Sequence, residues 1–261
     1  MADGFEHVST DGIRTYRQAK QFVVHRDRFC LSHDPWYDIA TSSFHLRADQ
    51  SLIPSVVSES SMPTVVIFDL FGTLIRLKRD THPYLKLCQA TNSLRKIRES
   101  LVVNAPMLTD FCDQLALPHP PNIADLQCEL DRDVKSASLF DNSMTTLIEL
   151  RERCIKIALI SNLASPYRKA FHNLELEHFF ECVIFSCDVG LAKPNPEIYR
   201  LVLERLNVDA NSVIMVGDKH RADVDGPMTC GIRGFLINRD GESSGDSDLR
   251  ALTDVLSLLD S

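Results

Sequence analysis

The stretch "VVIFDLFGTLI", Val65–Ile75, carries the strongest fold signal in the chain. It opens with an uninterrupted apolar run, which is typical of a strand buried on both faces of a parallel sheet. The run ends at one carboxylate, Asp69, and Gly72 then permits a tight turn. Two residues after Asp69, where a second acid would be expected, the chain has Phe71. The stretch therefore predicts a buried strand with a single carboxylate at its tip.

Short apolar runs alternate with helical patterns from residue 63 onward, which predicts an α/β fold around a Rossmann-like parallel sheet. Ligands gather at the carboxyl ends of the strands in such sheets, and polar residues stand at the ends of these runs. We predict strands at 64–69, 154–162, 181–188, 212–218 and 233–238, and helices at about 166–175, 195–206, 221–230 and 247–259.

A long helical segment separates the first two predicted strands. Its helices are predicted at 83–102, 107–117 and 122–140, and a further helix at 143–154 returns the chain to the sheet. Such a segment directly after the first strand suggests a cap over the carboxyl edge. We predict an N-terminal extension and linker of unknown role at 1–62, a core at 63–77 and 139–261, and a helical cap at 78–138.

Four motifs in order, "FDLFGTL", "LISN", "GLAKPNPEIY" and "GDKHRADVDG", resemble those of the haloacid dehalogenase (HAD) superfamily, in the subclass with a cap after the first motif. The resemblance covers about residues 63–240. It implies a catalytic set of Asp69, Ser161 and Lys193. Asp69 would attack a phosphoryl group and form an aspartyl-phosphate. Ser161 would bond a phosphoryl oxygen, and Lys193 would neutralise the developing charge.

The same resemblance implies a Mg²⁺ site, because this hard ion prefers a few carboxylates together with water and substrate phosphate. The implied ligands are Asp69, Asp218, Asp223 and the backbone carbonyl of Phe71. The substrate would be a small anionic, phosphorylated molecule, and the implied substrate contacts are Phe71, Gly72 and Asn162.

Phe71 departs from the family's pattern, since many of its phosphatases carry a second Asp at this position. That Asp protonates the leaving group and then activates water, and a phenyl ring can do neither. General acid–base help is worth about 10²–10⁴-fold, so we expect a loss of that order. Asp80 and His82 are candidates for an acid supplied elsewhere, although a solvated hinge is the favoured interpretation of both.

Three functions remain open at this point. The first is a Mg²⁺-dependent phosphatase whose substrate has a good leaving group, or whose acid comes from another residue. The second is a dehalogenase-like hydrolase of non-phosphate substrates, and the third is a weakly active or non-catalytic phosphate-binding module. The intact "GDKHRAD" favours the first, because dehalogenases of this family use no Mg²⁺.

Composition limits the partners and the compartment. A net charge of −8 over 261 residues argues against sequence-independent binding to nucleic acid or anionic membranes, which needs clustered Lys and Arg. The eight cysteines lack the spacing of a zinc site, and no apolar run approaches the roughly 20 residues that span a bilayer. The start of the chain also lacks the apolar core of a secretory signal. We expect a reduced, soluble, cytoplasmic protein.

Overall fold

The computed structural model describes residues 62–239 and 248–260, all within one structural unit, Val56–Ser261. The predicted N-terminal extension at 1–62 lies outside the described residues, apart from Met62. The described residues form eight strands: β1 (Val65–Phe68), β2 (Ile75–Leu77), β3 (Ala137–Leu139), β4 (Lys156–Ser161), β5 (Cys182–Phe185), β6 (Val213–Gly217), β7 (Arg233–Ile237) and β8 (Asp248–Leu249).

Helices of three kinds surround these strands. Among the described residues, no helix is both long and apolar enough to cross a membrane. The α-helices are α1 (Pro83–Ala90), α2 (Leu108–Gln114), α3 (Ile123–Lys135), α4 (Ser143–Glu152), α5 (Arg168–Asn173), α6 (Ser186–Val189), α7 (Pro196–Leu206) and α8 (Gly226–Met228). Leu94–Leu101, Ser165–Tyr167, Glu177–Phe179, Ala210–Ser212 and Leu252–Leu259 form 3₁₀ helices, and His220–Asp225 forms a π-helix.

Six strands make one parallel sheet in the order β5-β4-β1-β6-β7-β8, which confirms the predicted α/β, Rossmann-like fold. β1 lies in the middle, and its last residue, Phe68, is level with Leu159 of β4 and Val216 of β6. The amide of Asp69 continues this ladder by donating to the carbonyl of Val216 at 2.9 Å. The register therefore delivers Asp69 to the carboxyl edge, between the ends of β4 and β6.

The two faces of β1 pack into different apolar clusters, because successive side chains of a strand point to opposite sides. Ile67 lies in the cluster beneath α7, whereas Phe68 lies in the cluster that continues into the helical segment. That second cluster includes Leu87 of α1 and Leu130 of α3, so the helical segment and the sheet share one core.

The helical segment between β2 and β3 matches the predicted position of the cap. β2 precedes this segment and β3 follows it, and the two strands pair antiparallel with Ile75 opposite Leu139. The domain boundaries at 77/78 and 138/139 remain a prediction.

The predicted helix at 122–140 was too long, because α3 ends at Lys135 and Ala137–Leu139 pairs with β2 instead. The buried carboxylate of Asp133 lies two residues before this ending. Its Oδ2 accepts hydrogen bonds from the backbone N–H and the hydroxyl of Thr81, at 2.8 and 2.7 Å. This contact holds the end of α3 against the segment that follows β2.

Three other predicted helices were wrong in type or length. The helix at 83–102 is interrupted where Asn92 takes a φ of +52°. The helix at 221–230 begins as a π-helix and becomes α8, in which Pro227 removes a backbone donor. The helix at 247–259 is replaced by β8 and a 3₁₀ helix, because the backbone of β8 pairs with β7.

A matched pair of isoleucines tests this packing. Ile67→Ala removes a fully buried side chain from the central strand and should lower the free energy of unfolding by about 2–5 kcal/mol. Ile148→Ala, at a position 44% exposed on α4, should change it by no more than about 0.5 kcal/mol. Urea unfolding followed by circular dichroism measures both, and equal losses would contradict the assignment of β1 to the core.

Candidate active site

A buried ion cluster occupies the carboxyl edge of the sheet. The ammonium of Lys193 donates to Oδ1 of Asp69 at 2.7 Å and to Oδ1 of Asp223 at 2.6 Å. The exposed fractions of these three residues are 6%, 7% and 0%. Charges so removed from water are tolerated only when they are paired, so the three side chains depend on one another.

Burial and pairing act in opposite directions on the ionisation of this cluster. Burial raises the pKa of Asp69 to about 6, although Lys193 opposes the rise. For Lys193, burial favours the neutral amine, but Asp69 and Asp223 outweigh it and raise the pKa above its ordinary value. Lys193 is therefore a permanent cation beside the Asp69 carboxylate.

A third acid completes a cluster that fits a divalent cation. Ligand atoms of Asp69, Asp218 and Asp223 all lie within 4.8 Å of one another. Oδ1 of Asp218 is buried and has no hydrogen-bond partner among the described residues, as expected of an atom that awaits a ligand. Three carboxylates meet one buried ammonium, that of Lys193, and the Lys219 ammonium beside Asp218 is exposed, so the cluster keeps an excess of negative charge that a divalent cation would balance.

Asp223 also fixes the loop after β6. Its Oδ2 accepts the backbone N–H of Lys219 at 2.9 Å, while its Oδ1 contacts Lys193. The Lys219 ammonium extends to the outer face of the cluster, 2.8 Å from Oδ2 of Asp218, on a side chain that is 74% exposed. A cation bound to Asp218 would compete with this flexible surface lysine.

Ser161 and Asn162 lie where the sequence predicted, at the end of β4 beside β1, but the Asn162 side chain has a further role. Its Oδ1 accepts the backbone N–H of Lys193 and its Nδ2 donates to the carbonyl of Lys193, both at 2.8 Å. This two-point contact fixes the backbone of Lys193. Sequence analysis assigned Asn162 to substrate contact and did not foresee it.

Arg239 is a residue of this edge that sequence analysis missed. Its guanidinium donates to the carbonyls of Gly72 and Thr73, both at 2.6 Å, and covers the ring of Phe140 at 3.8 Å from the centroid. It therefore fixes the turn that follows Asp69. Its position just after β7, at the carboxyl end of a predicted strand, was the available signal.

A cavity of about 470 Å³ opens over the site. It is lined by residues of the turn after Asp69, the predicted cap, the segment after β4 and the loop after β6, among them Phe71, Asp80, Tyr84, Tyr167 and Asp218. Of the two candidate acids, Asp80 lines this cavity, and its Oδ1 lies 3.0 Å from Nδ1 of His82. Elsewhere, His220 and Asp225 pair with each other at 3.1 Å on the exposed surface.

The family model for haloacid dehalogenase-like hydrolases matches residues 63–227. The chain belongs to this family. The matched residues include β1, β4 and β6, whose carboxyl ends place Asp69, Ser161 and Asp218, and the match ends shortly after Asp223. The resemblance to the HAD superfamily is thereby confirmed, and the protein is a HAD-like hydrolase; its assignment to the subclass with a cap after the first motif remains a prediction.

Curated relatives of this HAD-like chain include two archaeal proteins named glyceraldehyde 3-phosphate phosphatase. The protein of Methanothermobacter thermautotrophicus is 30% identical over 136 residues, which are 48% of this chain and 60% of the relative. The protein of Pyrococcus abyssi is 29% identical over 195 residues, 66% of this chain and 80% of the relative. The chain thus spans less than two thirds of the first of these relatives.

Solved structures show the same fold. The HAD phosphatase of Thermococcus onnurineus superposes with a TM-score of 0.54 at 23% identity, over 75% of this chain and 97% of that one.

Alanine substitution at two glycines with positive φ tests how tightly the turn after Asp69 packs on the acidic cluster. A Cβ on Gly72, at φ +86°, would lie 2.3 Å from Oδ2 of Asp218, whereas a Cβ on Gly190, at φ +68°, would have the carbonyl oxygen of Val102 as its nearest neighbour, at an ordinary contact distance of 4.0 Å. Both alanine variants strain the backbone, but Gly72→Ala also displaces Asp218. We expect Gly72→Ala to lower the free energy of unfolding by about 1–3 kcal/mol more than Gly190→Ala does, measured by urea titration. Equal losses would mean that Asp218 moves freely.

Proposed function

We propose that this HAD-like hydrolase is a Mg²⁺-dependent phosphatase that acts on a small phosphorylated molecule through an aspartyl-phosphate on Asp69. The observation that carries the proposal is the convergence of three carboxylates and the buried ammonium of Lys193 on one point of the carboxyl edge. In that arrangement Asp69 is available as the nucleophile, while Lys193, held by Asp69 and Asp223, supplies positive charge beside it.

Asp69 is the proposed nucleophile. One of its oxygens attacks the phosphorus atom, a bond forms between that oxygen and phosphorus, and the bond from phosphorus to the leaving oxygen breaks. Water then attacks the phosphorus of the aspartyl-phosphate, which returns the carboxylate and releases inorganic phosphate. Lys193 remains bonded to Asp69 and opposes the negative charge on the transferring group.

The proposed holders of Mg²⁺ are Asp69, Asp218 and the backbone carbonyl of Phe71, with Asp223 bracing the cluster through Lys193 and the Lys219 amide. When bound, the cation supplies positive charge to the phosphoryl oxygens and to the attacking carboxylate. Ser161 and the main chain of Asn162 are proposed to bind a phosphoryl oxygen. The helical segment at 78–138 is proposed as the cap that encloses the substrate, since the cavity includes residues of both parts.

The curated relatives support the phosphatase rather than the dehalogenase alternative. The two archaeal relatives are named for a phosphate monoester, glyceraldehyde 3-phosphate. The acidic cluster supports the same choice, because halide release needs no divalent cation. Because Phe71 can act neither as an acid nor as a base, the experiment also tests a third possibility, a site that binds phosphate and Mg²⁺ without turnover.

Turnover of p-nitrophenyl phosphate tests the proposal, because its leaving group needs little protonation. We expect Mg²⁺-dependent release of p-nitrophenolate that is lost with EDTA and falls at least about 10³-fold in Asp69→Asn. Asp225→Asn, at an exposed carboxylate paired only with His220 among the contacts described, is the matched control and should retain wild-type turnover.

Two results would contradict the phosphatase. Metal-independent halide release from 2-haloacids would indicate the dehalogenase. Binding of Mg²⁺ and phosphate by calorimetry, without any turnover that depends on Asp69, would indicate the non-catalytic module.

A further inference from the structure

We propose that the substrate is an aryl phosphate, a phosphate monoester of a phenolic hydroxyl, held with its ring against the aromatic wall formed by Phe71, Tyr84 and Tyr167. This inference rests on the proposed phosphatase function and names its substrate class. Two independent observations lead to it: the lining of the cavity, and the chemistry that is missing beside Asp69.

The aromatic wall includes Phe71, which lies in the turn after Asp69. The rings of Phe71 and Tyr167 meet edge to face, with centroids 5.8 Å apart and planes at 84°. Tyr84 is fixed in the same way by Phe111 of the predicted cap, at 5.2 Å and 90°. Such edge-to-face pairs hold their rings in place. Phe71 and Tyr167 are half-buried and so present the accessible part of the wall, whereas Tyr84 is 7% exposed and lies deeper.

The lining of the cavity offers both polar and apolar contacts. Gly72, Asn162, Asp218 and Lys219 belong to the loops at the carboxyl edge that hold the acidic cluster, and they would surround a phosphate. The rest of the lining beside the aromatic wall is mixed, with the aliphatic side chains of Leu77, Leu101, Leu163 and Ala164 and the polar ones of Arg76, Asp80 and Ser100. A volume of about 470 Å³ is in the range of pockets for small molecules. A compact substrate with a phosphate at one end and a ring at the other finds partners for both ends in this lining.

The leaving group gives the second observation. An alkoxide is a poor leaving group and needs a proton as the bond from phosphorus to oxygen breaks. A phenol, whose pKa is about 10, can leave as phenolate and take its proton from water afterwards. Phe71 occupies the position from which the family's second Asp donates that proton, and a ring donates none. A phenolic substrate removes the need for the missing acid in the step that forms the aspartyl-phosphate, whereas the hydrolysis of that intermediate is the same for every substrate.

The proposed step conserves atoms and charge. The Asp69 carboxylate forms a bond to phosphorus as the bond from phosphorus to the phenolic oxygen breaks, and the electron pair leaves with the phenolate. Solvent water protonates the phenolate. A second water hydrolyses the aspartyl-phosphate, which releases phosphate and a proton.

Phenyl phosphate and benzyl phosphate form the test pair, because both carry the same ring but only the first has a phenolic leaving oxygen. With Mg²⁺, we expect wild-type kcat/KM to be at least about 100-fold higher for phenyl phosphate, and glyceraldehyde 3-phosphate to resemble benzyl phosphate. Phe71→Asp should raise turnover of benzyl phosphate by about 10²–10⁴-fold and so reduce the difference in kcat/KM between the two esters. Asp69→Asn should lose turnover of both.

Variants of Tyr167 test the aromatic wall. Tyr167→Leu should raise KM for phenyl phosphate at least about 10-fold while the inhibition constant of inorganic phosphate stays within about 2-fold, and Tyr167→Phe should keep wild-type KM. Unchanged KM in Tyr167→Leu would overturn the assignment of the ring to this wall.

The remaining outcomes separate this inference from the function on which it rests. Comparable turnover of phenyl and benzyl phosphate, still dependent on Asp69, would overturn the aryl preference and leave the phosphatase intact. Selective loss of benzyl phosphate turnover in Asp80→Asn would then identify Asp80 as the acid supplied elsewhere. Failure of wild type to hydrolyse any of the esters would overturn both.

Discussion

The candidate site depends on one buried ammonium shared by two buried carboxylates. Lys193 bonds Asp69 and Asp223 at 2.7 and 2.6 Å, and removing it would leave two acids with neither water nor a counter-charge. Breaking such a pair costs about 3–5 kcal/mol in buried settings, so the cluster is a constraint on folding as well as on chemistry. The same contact keeps Asp69 oriented and its carboxylate compensated in a region that would otherwise disfavour its charge.

The remainder of the fold serves to bring these groups to one place. The register of β1 between β4 and β6 puts Asp69 and Asp218 at the ends of adjacent strands. Close packing then fixes their approach, since a Cβ on Gly217 would lie 2.2 Å from the Asp223 side chain. Asn162 holds the backbone of Lys193, and Arg239 holds the turn after Asp69. Such preorganisation is what electrostatic catalysis of phosphoryl transfer requires.

The sequence predicted what local patterns encode, and missed what only the tertiary structure creates. An apolar run ending in Asp69 is a local signal, and parallel strands necessarily share their carboxyl edge, so the acidic cluster was predictable. The contact of Arg239 with Gly72 spans 167 positions, and no periodicity marks it. The pairing of Ala137–Leu139 with Ile75–Leu77, which replaces the predicted end of the helix, likewise joins distant parts of the chain. Helix propensity could not show that contact.

The most direct test of the central claim is ¹⁹F NMR of the protein with beryllium fluoride and Mg²⁺, since fluoroberyllate bound to a carboxylate imitates an aspartyl-phosphate. Fluoroberyllate bound to Asp69 should give resolved resonances, because Lys193 and a cation on Asp218 would balance its charge. These resonances should disappear in Asp69→Asn and when Mg²⁺ is withheld. Bound resonances that persist in Asp69→Asn would contradict the account, because the attacking oxygen would then belong to another residue.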